Sequence, residues 1–473
     1  MKCLGALALL ACLAAPAEAR ERLAVLTDIG NEPDDQMSLV RLLLYSNEID
    51  IEALVATTST WQRSKTSPEI IRKVVAAYGQ VQPNLLRHAP GWPSAQVLEA
   101  RISAGQGGYG LAANGRYKLS DGARALIAAG DKDDPRPLWV SVWGGANTLA
   151  QALIHVRDTR PSEGLAAFVA RLRVYSISDQ DDAGPWIRRE FPQLFYVVTP
   201  SSPNGEEYAR ATWTGISGDA FYRNGAGADG GLVTNEWLDR NIRSKGPLGA
   251  AYPKFMFIME GDTPAFLNLI PNGLDSTERP DWGGWGGRYV LRQPYGESRP
   301  IWTQGGDWFG RATSADTVAG VTSDQATIWR WRSAYQNDFA ARMDWTVQPY
   351  LKANHPPEVK VGGTLRRTVR VGETLAFDAR GTTDPDRDQL TFRWFAYPEA
   401  GAGTGGNLAD IAVRDKGPVA RVTALSPCRK AWIDDLVPCR GGGQAHLILA
   451  VTDDGSPALT RYARMILTVE PKP

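Results

Sequence analysis

Leu23-Ala-Val-Leu-Thr-Asp-Ile-Gly-Asn-Glu-Pro-Asp-Asp-Gln-Met-Ser-Leu39 decides the fold. Leu23 to Leu26 reads as a buried strand that stops at Asp28. A short loop with Gly30 and Pro33 leads to Asp34 and Asp35. From Gln36 to Tyr45 apolar residues recur at helical spacing (Met37, Leu39, Val40, Leu43, Leu44). Three carboxylates therefore sit on one turn between the carboxyl end of a strand and the start of a helix. In open α/β sheets that edge is where ligands bind. Carboxylates so close repel unless something positive lies between them, and a hard cation that takes oxygen ligands, such as Ca²⁺, answers that need. A helix cap explains one of these aspartates. It does not explain Asp28 together with an adjacent pair.

Strand-like runs alternate with helical patterns outward from this turn as far as Tyr350. Ile51 to Thr57, Leu138 to Val142, Leu172 to Ile177, Phe195 to Val198 and Phe255 to Met259 read as strands. Helical patterns follow at Ser67 to Tyr78, with Pro68 in its first position, at Thr148 to Val156, and at Trp186 to Glu190; Ser323 to Trp345 is a long helical stretch. The alternation predicts an open, mostly parallel α/β sheet with helices on both faces. Lys352 to Pro357 reads as a linker. Beyond it, short β-rich runs (Leu375–Phe377, Leu390–Phe395, Val419–Val422, Ala445–Val451, Ala463–Val469) predict an all-β, immunoglobulin-like sandwich. The expected divisions are residues 1–19, 20–352 and 353–473. Asp384, Asp386 and Asp388 read as a solvated turn or, alternatively, a structural Ca²⁺ site.

The chain has 473 residues, enough for two ordinary cores. Its 52 basic and 52 acidic residues balance, so the composition favours neither nucleic acid nor an anionic membrane as partner. Met1 to Ala19 reads as a signal peptide, with Lys2, the apolar run Leu4 to Ala15, and cleavage after Ala17-Glu18-Ala19. A lipoprotein signal ending at Cys12 ranks second, because Leu10 fits a lipobox poorly. Either places the protein in the periplasm or outside the cell, and no other stretch is long and apolar enough to span a membrane. The mature chain then keeps Cys428 and Cys439, an isolated pair that in an exported protein reads as a disulfide.

Three further stretches carry polar groups at strand ends. Val140 to Ala150 is strand, turn and helix, with Asn147 placed to cap the helix. Phe257 to Phe266 brings Glu260 and Asp262 to the end of an apolar run. Ser176 to Ala183 crowds Asp179, Gln180, Asp181 and Asp182 at the same edge, as contacts to substrate hydroxyls or as helix caps. Gly105-Gln-Gly-Gly-Tyr-Gly110 follows a helical pattern rather than a strand, which rejects a dinucleotide site and suggests a loop holding Tyr109 over the pocket. Trp282, Trp285, Trp302 and Trp308 lie in glycine-rich surroundings and read equally as sugar platforms or as core.

The Thr27-Asp28-Ile29-Gly30 turn with Asp34-Asp35 resembles the N-terminal signature of the nucleoside hydrolases. Leu26 stands where that signature begins with Asp, and Asn31-Glu32-Pro33 is longer than the family's single residue. The match is closer to the nucleoside-hydrolase-like domain of secreted bacterial proteins described as cellulose-binding, over roughly residues 22 to 350 and on into a C-terminal β domain. The resemblance implies Ca²⁺ held by Asp28, Asp35, Asp262 and the carbonyl of Asn147, with Asp28 also as general base and Asp34 on a sugar hydroxyl. It implies water attack at an anomeric carbon through an oxocarbenium-like state. Glu260 and Asp182 are the candidates for the acid that protonates the leaving group. Substrate contacts are expected from Asp34, Asn147, Asp179, Gln180, Asp181, Tyr109, Trp282 and Trp285. The His that precedes the late Asp in nucleoside hydrolases is replaced by Gly261, and of the four histidines His88 alone lies where a loop would reach the site. The expected function is an exported, calcium-dependent hydrolase of glycosidic bonds acting on a sugar-containing small molecule or polysaccharide. The alternative is a non-catalytic carbohydrate-binding protein on the same fold. Homodimer formation is compatible with both.

Overall fold

A computed structural model describes residues 20–115, 118–201, 206–217, 227–306, 313–401, 403, 406–429 and 441–472. The expected signal peptide and its cleavage site, Trp308 and Cys439 lie outside the described residues.

Eight strands form the main sheet: β1 (Glu21–Thr27), β2 (Ile49–Ala56), β3 (Ile102–Ala104), β4 (Leu138–Val142), β5 (Leu172–Ser176), β6 (Phe195–Val198), β7 (Val290–Arg292) and β8 (Ile301–Thr303). Their order is β3-β2-β1-β4-β5-β6-β8-β7, parallel throughout except for the β7–β8 pair. The inner strands are mostly apolar toward their carboxyl ends, because both faces are covered there, and carry charged residues such as Arg22, Asp50 and Glu52 nearer their starts. Helices Asp34–Leu43 and Pro68–His88 bury one face, with Leu23, Val25, Met37, Val40, Val74 and Tyr78 in one core cluster. Helices Asp121–Asp131, Asn147–Thr159 and Ala183–Glu190 cover the other, against Ala24, Leu26, Val140 and Val174.

Two sequence expectations change here. Phe255–Met259 forms no strand; Met256 and Phe257 are exposed, and β8 takes the place beside β6. The stretch 323–345 is broken into helices Ala326–Trp329 and Arg332–Asp344, and the second is buried nearly all round. Helix Pro68–His88 runs ten residues past the sequence reading and carries Pro83 inside it.

The C-terminal part is a sandwich. One sheet holds 366–370, 460–470, 443–452 and 391–396 in that order, and the other holds 374–378, 419–426 and 410–416. Its own core gathers Phe377, Trp394, Val422, Leu447, Leu449 and Leu467. Strand residues alternate between this core and a second face, which packs on the α/β part. Tyr397, Ile448 and Tyr462 accordingly join the main core cluster. The fully desolvated Arg464 donates to the carbonyls of Leu274, Trp282 and Gly283. Asn354 and His355 of the linker are themselves buried. Among the described residues, no helix is long and apolar enough to cross a membrane.

Candidate metal and sugar site

The parallel register builds the site. Leu26 lies level with Val55 on one side and Val142 on the other, and Val142 with Ser176. The residues just beyond these strand ends, Asp28, Thr57 to Ser59, Trp143 to Gly145 and Ile177 to Asp181, therefore emerge together. Gly30, at φ 105°, turns the chain back so that helix Asp34–Leu43 starts beside its own strand. Asp262 reaches the same edge from the long connection before β7. The preceding Glu260, at φ 55°, holds a left-handed backbone that a non-glycine residue adopts at a cost.

Asp34, Asp35 and Asp262 are buried, and each offers a carboxylate oxygen within 4.8 Å of the other two. Thr27 Oγ1 donates to Asp35 Oδ1, while Asp262 Oδ2 is buried without a protein partner. Asp28 stands beside this trio, 4% exposed. Ser59 Oγ donates to its Oδ2, and Gln62 Nε2 donates to its carbonyl at 3.1 Å. A Cβ on Gly144 would lie 2.6 Å from Asp28 Oδ1, so glycine is required there for this carboxylate to fit.

Charge at the site is not compensated. Burial first pushes Asp28 up to about 6. Burial, then Glu32, then Asp28 push Asp34 up to about 8. Asp35 and Asp262 are raised well above the ordinary carboxylate range by burial and then by their acidic neighbours. Glu32, raised by burial, is a fifth carboxyl of the group. A donor set of oxygens alone, with an orphaned buried carboxylate atom, fits a hard cation.

Several expected roles are corrected. The Asn147 carbonyl accepts from Asn114 Nδ2 at 3.1 Å, and its side chain donates to Thr58 Oγ1 and to the Gly108 carbonyl. Asp34 lies in the carboxylate trio with Asp35 and Asp262, a group that could hold a metal ion. Glu260 is fully buried in an ion pair with Arg41 and also accepts from Tyr252 and Thr263, which leaves it no access to a leaving group. Asp182 is exposed and accepts from the Leu111 N–H at 2.8 Å, at the start of a short helix. Asp179 is held by Arg188. Asp181 accepts from the N–H groups of Asn147 and Ala183, capping two helices, and burial pushes it up to about 7. Gln180 Nε2 donates to the Trp143 carbonyl, and its Oε1 is buried without a partner. Trp282 and Trp285 are core: Trp282 packs edge-on against His446 of the sandwich at 5.3 Å, and Trp285 against Tyr335 at 6.4 Å. His88 ends a helix, lies 3.0 Å from His355 and stacks on Trp345.

Tyr109 does sit near the edge, because its loop is pinned by Gly108 to Thr58 and Asn147. Arg63 stacks on its ring at 4.6 Å. The sequence reading missed Ser59, Gln62 and the neighbouring Trp61, which is 39% exposed. Their signal was available: Thr57-Thr-Ser-Thr-Trp61 follows a strand as directly as Asp28 does.

Fold and site together define a nucleoside hydrolase-like α/β protein with a C-terminal sandwich. A family model described as the cellulose-binding Sde182 nucleoside hydrolase-like domain matches residues 22–289, and the model of the cellulose-binding protein Sde0182 C-terminal domain matches residues 374–469. The chain belongs to this family. Among solved structures, it is similar to a nucleoside hydrolase-related hypothetical protein from Saccharophagus degradans described as associated with carbohydrate metabolism. Identity is 34% over 96% of this chain and all of that one, with a TM-score of 0.76. The type III effector XopQ, solved with adenosine diphosphate ribose, aligns at 13% identity over 70% of this chain and 96% of its own, with a TM-score of 0.33. No curated protein matches the chain.

Proposed function

We propose that the protein is an exported, calcium-dependent hydrolase of glycosidic bonds acting on a sugar-containing molecule or polysaccharide. The observation that carries this reading is the uncompensated carboxylate group at the strand edge, Asp34, Asp35 and Asp262 with Asp28 beside them. A binding protein has no need of a base held next to such a trio. Asp34, Asp35 and Asp262 would hold Ca²⁺, which when bound supplies Lewis acidity toward water and sugar hydroxyls. Asp28 takes the proton of the attacking water as general base, the glycosidic bond to the anomeric carbon breaks, and the departing group takes its proton from solvent. Ser59 fixes one of its oxygens and leaves the other, beside Gly144, to face the water. Gln180 Oε1 accepts from a sugar hydroxyl, and the neighbouring carboxylates stabilise positive charge developing at the anomeric centre. Trp61 and Tyr109, rather than the buried tryptophans, offer rings to a sugar face.

The second reading is a non-catalytic carbohydrate-binding protein, which the family's cellulose-binding description favours. One experiment separates the two. The mature protein and its Asp28→Asn variant are assayed on nucleosides and on oligosaccharides, with Ca²⁺ or with EGTA. The hydrolase reading expects turnover that EGTA abolishes and that Asp28→Asn lowers by roughly 10²–10⁴-fold. Cellulose binding with no turnover on any substrate supports the second reading, whereas turnover unchanged in Asp28→Asn would remove Asp28 as the general base.

A further inference from the structure

A second group of carboxylates lies in the sandwich, away from the strand edge. Asp384, Asp386 and Asp388 each offer an oxygen within 4.8 Å of the others. The turn closes on Asp384 Oδ1, which accepts from the N–H of Asp386 at 2.8 Å and of Asp388 at 3.0 Å. Its other oxygen, Oδ2, is buried without a donor. An acidic turn alone is ordinary, since aspartate favours turns.

A separate element makes this one different. Asp453, on the turn after strand 443–452, is 4% exposed. Its Oδ1 accepts from Asn354 Nδ2 at 2.9 Å, Gly455 N at 3.1 Å and Leu459 N at 2.9 Å. Its Oδ2 is buried with no partner. The Gln389 N–H donates to Asp454 Oδ1 at 2.8 Å and ties the two turns together. Burial first raises the carboxyls of Asp453 and Asp388 above the ordinary range; Asp384 adds to both, and Asp454 and Asp386 add to Asp388. Among the described residues no lysine or arginine pairs with Asp384, Asp386, Asp388 or Asp453. His355, whose Nδ1 lies 3.0 Å from Asp386 Oδ2, is the basic group beside them. Two orphaned carboxylate oxygens on two joined turns are an expensive arrangement unless a cation completes it.

We propose that Asp384, Asp386 and Asp388, with the buried Asp453 on the adjoining turn beside them, form a second divalent-cation site, selective for Ca²⁺. All the offered donors are carboxylate oxygens on turns, and Ca²⁺ accepts six to eight oxygens in loose geometry where Mg²⁺ demands a near-ideal octahedron. The site's place gives it a task. Asn354 bonds Asp453 and the His355 N–H bonds Asp386 Oδ2 at 2.7 Å, so the linker between the two parts is fastened to the same two turns. A bound ion would fix the linker and, with it, the seating of the sandwich on the α/β part.

The test is calcium titration calorimetry on the mature full-length chain, with three proteins. The Asp35→Asn/Asp262→Asn variant, altered only at the strand edge, should keep one equivalent of Ca²⁺, with Kd of about 10⁻⁴–10⁻³ M as in extracellular modules. Asp384→Asn/Asp388→Asn should bind one equivalent fewer than the unaltered chain and lose the calcium-dependent part of its Tm that resides in the sandwich. If the Asp35→Asn/Asp262→Asn variant binds no Ca²⁺ at millimolar concentration, the second site does not exist. If Asp384→Asn/Asp388→Asn folds and binds as many ions as the unaltered chain, the assignment is equally overturned. Should that variant not fold, the count in the first variant decides. That count is independent of whether the strand edge takes calcium, so this site and the proposed hydrolase stand or fall separately.

Discussion

The two ends of the main sheet handle charge in opposite ways. At the starting end of the strands, Glu52 accepts from Arg22, Arg101 and Lys132, and Arg136 pairs with both Asp50 and Asp134. At the finishing end, Asp28, Asp34, Asp35 and Asp262 press on one another, and no arginine or lysine is prominent in shaping their ionisation. The sharpest form of the contrast spans two residues. Glu260 is neutralised by Arg41; Asp262 is left bare. A fold alone gains nothing from bare buried carboxylates, whose desolvation is costly unless something pairs with them. The matched end is structure, and the unmatched end is the one we propose for the ligand.

The largest test breaks the matched member of that pair. Arg41 is fully buried on helix Asp34–Leu43, over the Phe339 ring at 3.9 Å, and it also donates to Gln336 and the Tyr335 carbonyl. Glu260→Gln leaves its guanidinium without a counter-charge. The expected loss is about 3–5 kcal/mol, as for other buried pairs broken on one side, read by urea denaturation. A loss below about 1 kcal/mol would put Glu260 back among the groups free to act on substrate, because surface-like values mean solvent reaches it.

How much of this was legible in the sequence depends on what carried the signal. β4 and β6 fall on the residues that apolar runs marked, Leu138–Val142 and Phe195–Val198, because buried parallel strands are apolar end to end. The Asp34-Asp35 turn was legible for the same local reason. What failed was non-local. Glu260 and Asp262 look alike in sequence, and the partner that separates them, Arg41, lies more than two hundred residues away. Trp282 and Trp285 sit among glycines that suggested exposure. Those glycines instead let backbone approach closely: a Cβ on Gly283 would lie 2.5 Å from the Tyr397 hydroxyl of the sandwich. The apolar run Phe255–Met259 has strand composition, but β8 occupies the sheet position it would need.

The second test takes the bare member. In EGTA at pH 8, Asp262→Asn removes one charge from a group that burial and neighbouring carboxylates already disfavour. Its stability should rise, by roughly 1 kcal/mol, the size of a typical single substitution but of the opposite sign. In saturating Ca²⁺ the order should invert, because the unaltered chain gains binding energy that the variant lacks. A variant less stable than the parent in EGTA would mean that Asp262 serves the fold, and the contrast with Glu260 would collapse.

The smallest effect is expected from an exception at the matched end. Glu21 opens β1, one residue before the well-paired Arg22, yet burial and then the nearby Glu278 push it up to about 7. Its pKa in the unfolded chain is 4.5, so the folded state holds the proton more tightly. The stability this contributes is complete below pH 4.5 and is lost as pH rises through 7. Glu21→Gln keeps a neutral side chain at every pH. The variant should therefore match the parent near pH 4.5 and melt slightly higher above pH 7, by a few tenths of a kcal/mol in physiological salt, since Arg136 and Arg173 screen part of the repulsion. Thermal melts of both proteins at pH 4.5, 6 and 8.5 read the difference. Curves that stay parallel across that range would show that Glu21 ionises normally. The divide between the two ends of the sheet would then be sharper still.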